Sequence, residues 1–475
     1  MTAPIDAVVV GSGPNGLAAA ITLARAGRQV VVLERGETPG GGARSAALTI
    51  PDYIHDVCSA VHPLVAVSPF FRSLPLARLG CELLQPPVPL AHPLDDGTAA
   101  LLHRGVEETA RGLGADAARW RALMGPLVRG GAATLEAALS LPRGVVDHPV
   151  LMARFGVRAL PPVSVLQRLF TTPGAQALLG GMAAHAFLPL EAPTTAAVAL
   201  VLGVSGQVAG WPVVRGGTGR LTDALVSHLE ELGGEVRCGV EVRRLGDLPR
   251  HRAALFDTGP NQLAEIAGGQ LPGRYRRAVR RFRYGPGVFK VDYALSGPVP
   301  WTAPEARRAG TLHLGGTFEE VARAERSVAA GRPPARPYVL VAQPGVVDSS
   351  RAPAGRHTLW TYCHVPAGDT TDMTAAIEAQ LERFAPGFGD LVLARQAMAP
   401  ADYERYNPNN VGGDIGGGAA DWRQLFTRPV VRFGSPYATP NPRLFLCSAS
   451  TPPGGGVHGL CGRNGARAAL RGVLR

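Results

Sequence analysis

AVVVGSGPNGLAAAITLARAGRQVVVLE, residues 7–34, reads as a strand, a glycine turn, a helix and a second strand. Ala7 to Val10 form an apolar run suited to a buried parallel strand, and Gly11, Gly13 and Gly16 then fall in the GxGxxG spacing that opens a helix. Each glycine has its own mechanical reason. Gly11 allows the tight turn, Gly13 omits the Cβ that would block a pyrophosphate, and Gly16 lets the helix press against the strand. Pro14 and Asn15 stand where the helix begins, so dinucleotide phosphates would lie on its first N–H groups and positive dipole end. Glu34 closes the second strand 18 residues after Gly16, close to the ~20 expected of a carboxylate that binds ribose hydroxyls. The glycines alone are a weak signal; with the flanking strands, helix and acid they predict a nucleotide site on a Rossmann-type unit.

The residues after Glu34 bear on which dinucleotide. Arg35 follows directly, and then Pro39-Gly40-Gly41-Gly42-Ala43-Arg44-Ser45 makes a second glycine-rich loop with one cation. A loop that can approach a phosphate at Gly41, Gly42 and Ala43, with Arg44 as a bidentate anion partner, suits FAD better than a nicotinamide dinucleotide. An ordinary surface turn is the plainer alternative. Here the sequence resembles the flavoprotein superfamily of phytoene desaturases and flavin amine oxidases, whose first segment carries this acid followed by a Gly-Gly and Arg loop.

Composition limits the rest. A chain of 475 residues exceeds one core and predicts two domains, and 46% hydrophobic with 18% charged residues describes a folded enzyme rather than a disordered chain. The opening MTAPIDAVVV lacks a basic n-region, which predicts a cytoplasmic protein. Thr195 to Trp211 is the most apolar later stretch, but Ser205, Gln207 and three glycines interrupt it, so it reads as a core helix or cavity wall. The six cysteines are scattered without CxxC spacing, which excludes a redox dithiol and a zinc site of the usual spacings; no metal is expected. A net charge of +11 gathers visibly in Arg274, Arg276, Arg277, Arg280, Arg281 and Arg283. A solvated helix face is the first reading of that cluster and peripheral membrane contact the second; nucleic acid is not expected, since no binding module accompanies the charge.

Outward along the chain, His55, Asp56 and His62 lie where the superfamily's chain approaches the flavin, and His62 is a candidate substrate-side residue. From about Pro69 to Val208 the apolar spacing turns helical, and the surroundings of His185, Phe187 and Leu188 suit an apolar ligand or ordinary core packing equally. Gly210 to Leu221, then TDALVSHLEELGG and EVRCGVEVRRL, resemble the returning cofactor segment, within which Val242 would contact the adenine side of FAD. Only ten residues separate Val242 from the strand AALFDTGP, where the families usually carry a small β-meander.

Lys290 is the only lysine among 48 basic residues, and it sits in the alternating stretch VFKVDYAL. Alternation puts Lys290 and Asp292 on the face opposite Phe289, Val291 and Tyr293, so the strand should have one apolar and one polar face. The segment is similar to the amine oxidase strand whose lysine holds a water against flavin N5, which implies a catalytic role; an ion pair with Asp292 is the alternative. Tyr362 and His364 share a strand face with Trp360, and the loop reaching Trp422 resembles one that closes over the active site; Tyr362, His364 and Trp422 are further substrate-side candidates. At the C-terminus Gly454, Gly456 and Gly459 repeat GxGxxG with no acid to follow, so this is no second nucleotide site. The resemblance instead implies that Gly456, Val457, His458 and Gly459 meet the pyrimidine side of the flavin, with His458 a second catalytic candidate beside Lys290.

The fold expected is α/β, with a discontinuous Rossmann-type FAD-binding domain (1–68, 209–260 and 435–475) and a mixed α+β substrate domain (69–208 and 261–434). The resemblance is strongest to phytoene dehydrogenase-like proteins. It implies an oxidoreductase with non-covalent FAD that takes hydride from an apolar, carotenoid- or lipid-like substrate and passes electrons to oxygen or a quinone-like acceptor. An amine oxidase, or a non-catalytic FAD- or lipid-binding regulator, is the alternative.

Overall fold

A computed structural model describes residues 5–140, 143–430 and 434–475. The opening unit forms as its sequence dictates: strand Ile5–Val10, helix Pro14–Ala24 and strand Val30–Leu33. These strands lie inside a five-stranded parallel sheet whose order is Leu444–Leu446, His251–Phe256, Ile5–Val10, Val30–Leu33, Glu235–Arg237. A parallel sheet is covered on both faces, and Ala7 to Val10 are accordingly buried throughout. Helix Pro14–Ala24 is buried along nearly its whole length because the C-terminal helix Leu460–Arg471 and helix Gly219–Glu231 flank it. The sheet thus collects segments from three distant parts of the chain. The short link after Val242 holds a single 3-10 turn, Leu245–Asp247, and no meander.

The second layer is a seven-stranded mixed sheet, ordered Val392–Met398, Gly287–Leu295, His357–Val365, Val339–Ala342, Ala309–Leu314, Val88–Pro93, Ala99–Leu102. Its last two strands fall within residues 69–208, a stretch read as mainly helical, and add a strand pair to it. The stretch VPLAHP has prolines at 89 and 93, which read as strand breakers because proline cannot donate to a ladder. It nevertheless pairs in parallel with Ala309–Leu314 and antiparallel with Ala99–Leu102. Helices follow from Val106 to Ala209. The last of these, Thr195–Ala209, is a core helix and cavity wall as its composition suggested, with Val198, Val201 and Leu202 facing the cavity.

Strand Gly287–Leu295 departs from the reading of one polar face. All nine of its residues are buried, Lys290 and Asp292 included. The face carrying them is covered by the antiparallel pair Ser45–Ala46 and His55–Asp56, whose His55 Nδ1 lies 3.6 Å from Asp292 Oδ1. The arginine cluster makes a short helix, Gly273–Val279, that buries Tyr275 and Val279 and leaves Arg274, Arg277 and Arg280 to solvent. This is the solvated face of an amphipathic turn of chain.

A buried cation joins the two layers. Arg351 donates to Asp56 Oδ2 at 3.0 Å and Asp348 Oδ2 at 2.7 Å, and also to the carbonyls of Ile54 and Val214. Asp56 in turn accepts from the Thr218 N–H and Ser45 hydroxyl, and Asp348 from the Gly216 N–H. Breaking such a buried pair typically costs ~3–5 kcal/mol, because the partner's charge stays behind in a dry site. Segments 45–59 and 213–218 are therefore tied to the layer of the seven-stranded sheet through this guanidinium.

Candidate functional site

A cavity of about 1160 Å³ runs between the two layers. It begins outside the carboxyl ends of the parallel strands, where ligands bind in open α/β sheets. There it is lined by Gly11, Gly13, Pro14 and Asn15 from the first turn and by Glu34, Arg35, Gly41, Gly42 and Arg44 from the next. Val242 belongs to the same wall. The packing of the turn explains its glycines: a Cβ on Gly16 would stand 2.1 Å from the Gly11 carbonyl oxygen, and one on Gly13 2.6 Å from Asp257 Oδ2. Gly16 and Ala43 are buried behind this wall, Ala43 being held through its carbonyl by the Thr222 hydroxyl.

Glu34 accepts hydrogen bonds from the Ser12 N–H and hydroxyl and from the Gly36 N–H, and Arg44 Nη2 lies 3.6 Å away. These partners hold the carboxylate at the end of its strand, the position from which ribose hydroxyls are bound. Arg44 stacks over the Tyr406 ring, whose hydroxyl donates to the Gly41 carbonyl.

Asp257 escaped the sequence reading. It follows strand His251–Phe256 directly, and its Oδ2 accepts from the Gly16 N–H at 2.8 Å. The signal was available in AALFDTGP, which puts an acid at the carboxyl end of the strand beside the glycine turn. Burial pushes its carboxyl up to about 8, with Glu34 adding to the rise. Protonated near neutrality, Asp257 caps the turn without setting a negative charge against a phosphate. Arg428 also escaped notice. This buried guanidinium lines the cavity, donates to the carbonyls of Ala449, Gly418 and Ala419, and leaves Nε without a partner. A glycine turn with open N–H groups, an acid placed for ribose and a cation with a spare donor fit a bound FAD.

The C-terminal turn contributes Gly454, Gly455, Gly456 and Val457 to the wall. His458 does not reach the cavity. Its Nε2 donates to the Gly454 carbonyl and its Nδ1 accepts from the Leu460 N–H, so both ring nitrogens brace the turn, and burial pushes it down to about 4. Gly459 lies behind with its Cα against Phe70 and caps the helix in the left-handed region, φ +66. The catalytic reading of His458 is corrected to a structural one.

Lys290 is likewise outside the lining. Its ammonium is fully enclosed and bonded to Asp292, 5.8 Å from the centre of the Trp360 ring. Its cross-strand neighbour Tyr362 and that of Asp292, Trp360, do line the cavity. Burial pushes Asp292 up to about 6, against the lowering influence of Lys290. The ion pair named as the alternative is what the geometry contains.

At the far end stand His62, Trp211, Tyr362 and Phe187. The Thr218 hydroxyl donates to the Ser59 carbonyl, so His62 Nε2–H must donate to Thr218, which leaves a bare Nδ1. His364 is absent from this wall; its Nδ1 is bonded to Glu325 and its ring packs at 4.0 Å on Phe187. Trp422 is half exposed and points away with Arg423 over its ring, although Leu425 and Phe426 from the same helix line the cavity.

The model of the NAD(P)-binding Rossmann-like domain matches residues 9–74. The rat pyridine nucleotide-disulfide oxidoreductase domain-containing protein 2 is 27% identical over 98% of this chain and 93% of its own. The phytoene dehydrogenase of Streptomyces griseus is 27% identical over 84% of this chain and 83% of its own. Over most of its length, the chain is related to oxidoreductases. Among solved structures, putrescine oxidase bound to putrescine superposes over the full length of both chains with a TM-score of 0.63 at 18% identity, a likeness of fold.

Two outcomes follow from the buried acids. The native chain keeps a proton on Asp257 that the unfolded chain has lost between the ordinary carboxyl value, 3.8, and about 8. Its contribution to stability therefore falls as pH rises through that window. Asp257→Asn retains an acceptor for Gly16 and should flatten the decline, read as the melting temperature of cofactor-free protein at about pH 5 and about pH 9; an unchanged slope would count against the protonated acid. Lys290→Met should cost roughly 3 kcal/mol in urea unfolding while leaving flavin reoxidation by oxygen within about twofold. A slowing of ~10²-fold would restore the catalytic role.

Proposed function

We propose that this protein is an FAD-dependent oxidoreductase that removes hydride from an apolar organic substrate. The observation that carries the reading is one continuous cavity: its outer end has the dinucleotide features, and its inner end is walled by Trp211, Phe187 and Tyr362, with His62 and His185 among its polar groups. When bound, FAD would supply the hydride acceptor at N5. The chain's own residues do the remainder. The glycine turn offers N–H groups to the pyrophosphate, Glu34 orients ribose, and Arg428 and the turn at Gly454 to Val457 offer positive potential at the second turn. The aromatic wall positions the substrate and excludes water from the reacting carbon.

The carotenoid- or lipid-like substrate class is supported by this lining and by the related phytoene dehydrogenase. An amine oxidase is the second reading, favoured by Trp360 and Tyr362, whose rings meet edge to face at 5.1 Å on the cavity wall and could flank a neutral amine. A non-catalytic flavin or lipid carrier is the third. Oxygen or a quinone-like compound is proposed as acceptor, because one strand-glycine-helix-acid unit serves one dinucleotide. A cytoplasmic location belongs to the same proposal.

Purified protein should be yellow, and heat or acid should release free FAD; flavin retained on the chain, or NADP in its place, contradicts the reading. NADH and NADPH should reduce the flavin far below a typical turnover of ~10 per second in stopped flow. Cyclohexylamine, putrescine and phytoene in liposomes, tried anaerobically as reductants, divide the amine from the hydrocarbon reading, and a flavin that none reduces and oxygen reoxidises slowly would favour the carrier.

Among the described residues no helix is long and apolar enough to cross a membrane. Peripheral contact is better supported by the exposed Val146, Val150, Val157, Leu160 and Phe426 than by the arginine helix. Phe155, on the same helix as Val150 and Val157, and Phe426 line the cavity, so this apolar rim borders its entrance. Val150→Asp with Val157→Asp should abolish cosedimentation with anionic vesicles, and wild-type protein that stays in the supernatant would remove the membrane from the reading.

A further inference from the structure

His185 presents polar surface at the inner end of the cavity. It lines that end and is partly exposed there, whereas His62, Trp211, Trp360 and Tyr362 of the same wall are buried. His185 caps the carboxyl end of helix Pro173–Ala184, and the Trp211 ring meets it edge to face at 6.4 Å. Its Nε2 lies 3.0 Å from His313 Nε2, so Nδ1 is the ring nitrogen left for a ligand. Thr311, two residues before His313 on the same face of strand Ala309–Leu314, lines the same end, and its hydroxyl has no partner. The remaining wall there is apolar or aromatic, with Phe187, Val201, Leu202 and Leu340.

Burial keeps both rings neutral, pushing His185 down to about 3 and His313 well below its ordinary value. Two neutral imidazoles that share one N–H between their Nε2 atoms leave His185 Nδ1 either bare or protonated, according to which ring donates. Nothing on the far side chooses between them, since His313 Nδ1 is buried without a partner. The nitrogen at the cavity therefore suits a group that both donates and accepts. A hydroxyl does both; a carbonyl or ether only accepts, and an ammonium only donates. No carboxylate is placed here to hold a cation. The acids of the lining are Glu34 and Asp257 at the glycine turn, Glu241 beside Val242, and Asp414, which accepts from the N–H groups of Gly285, Gly416 and Gly418. Glu325, outside the lining, is bonded to His364.

We propose that the inner end of the cavity is a hydroxyl subsite, which takes the alcohol group of an otherwise apolar molecule with His185 Nδ1 as its hydrogen-bond partner. The inference rests on the flavin reading above, which gives the outer end to the cofactor, and it narrows the substrate to a hydroxylated hydrocarbon. An alcohol gives up hydration on entering a dry pocket, and the bond to His185 offsets that loss. A bare hydrocarbon gains nothing from the ring. An ammonium loses far more hydration and meets no counter-charge.

The test uses three molecules of one skeleton, p-menthane, menthol and menthylamine, titrated into FAD-loaded protein near neutral pH, where the amine is a cation. Trp211 and Trp360 line the cavity, so binding is read from tryptophan fluorescence. FAD content is read separately from visible absorbance, so a colourless protein indicts the flavin reading, whereas the subsite is judged on the affinities. Menthol should bind at least ~10-fold tighter than menthylamine in the wild-type protein. His185→Leu should weaken menthol by ~10-fold, the scale of one hydrogen bond lost from a buried site, and leave p-menthane within about twofold. His185→Gln, whose amide also donates and accepts, should restore most of the menthol affinity. A merely structural role for His185 predicts equal losses for menthol and p-menthane. Menthylamine binding as tightly as menthol, or a ratio of menthol to p-menthane affinity that His185→Leu leaves unchanged, overturns the proposal; the first comparison needs no variant to fold.

Discussion

The hydrogen bond from the Gly16 N–H to Asp257 fixes the geometry on which the rest of the site depends. It brings the amino end of the first helix, the carboxyl end of strand His251–Phe256 and the crowded glycine turn into one contact. A side chain at Gly13 or Gly16 would meet Asp257 or the turn's own carbonyl. These glycines are therefore required by the protein's packing before any ligand is considered. The raised pKa of the acid lets the same contact coexist with a phosphate at the helix end.

A second constraint arises from building the five-stranded layer out of three distant segments. Backbone pairing joins the strands of each sheet, but the connection between sheets relies on polar contacts such as Arg351 with Asp56 and Asp348. Lys290 and Asp292 form another dry ion pair beneath the cavity wall. Buried charges of this kind add little net stability, yet each is costly to break singly, so they hold register and orientation. The two junctions lie close together around His55, whose Nδ1 is 3.6 Å from Asp292 Oδ1, and neither lines the cavity. Of the cavity's aromatic and histidine residues, Trp360 and Tyr362 sit on a strand, whereas His62, His185, Phe187 and Trp211 sit on connecting segments.

The glycine pattern, Glu34 and the strand-helix-strand alternation were legible because they are local: a handful of consecutive residues carries the whole mechanical reason. The returning segment at Gly210 to Gly234 and the C-terminal glycine turn were legible for the same reason. Strand Val88–Pro93 was hidden by its prolines, whose missing donors are tolerated only because its neighbours pair at other positions. Lys290 misled because alternation reports which residues share a face and not what covers that face. His458 misled because its position on the turn is local information, whereas the direction of its ring depends on Gly454 and Leu460.

By itself the sequence determined that the chain opens with a strand–glycine turn–helix unit of the Rossmann type and that the surrounding fold is α/β. These follow from periodicity and from residues that lack a side chain, both readable along a line. Only the tertiary structure decided which polar groups face the cavity. Asp257 and Arg428 enter the site, while Lys290, His364, Trp422 and His458 leave it. His185 and His313 meet at 3.0 Å although 128 residues separate them. The physical reason is that a side chain's chemistry is set by what is packed within a few ångströms of it, and in a sheet assembled from distant segments those neighbours are distant in sequence.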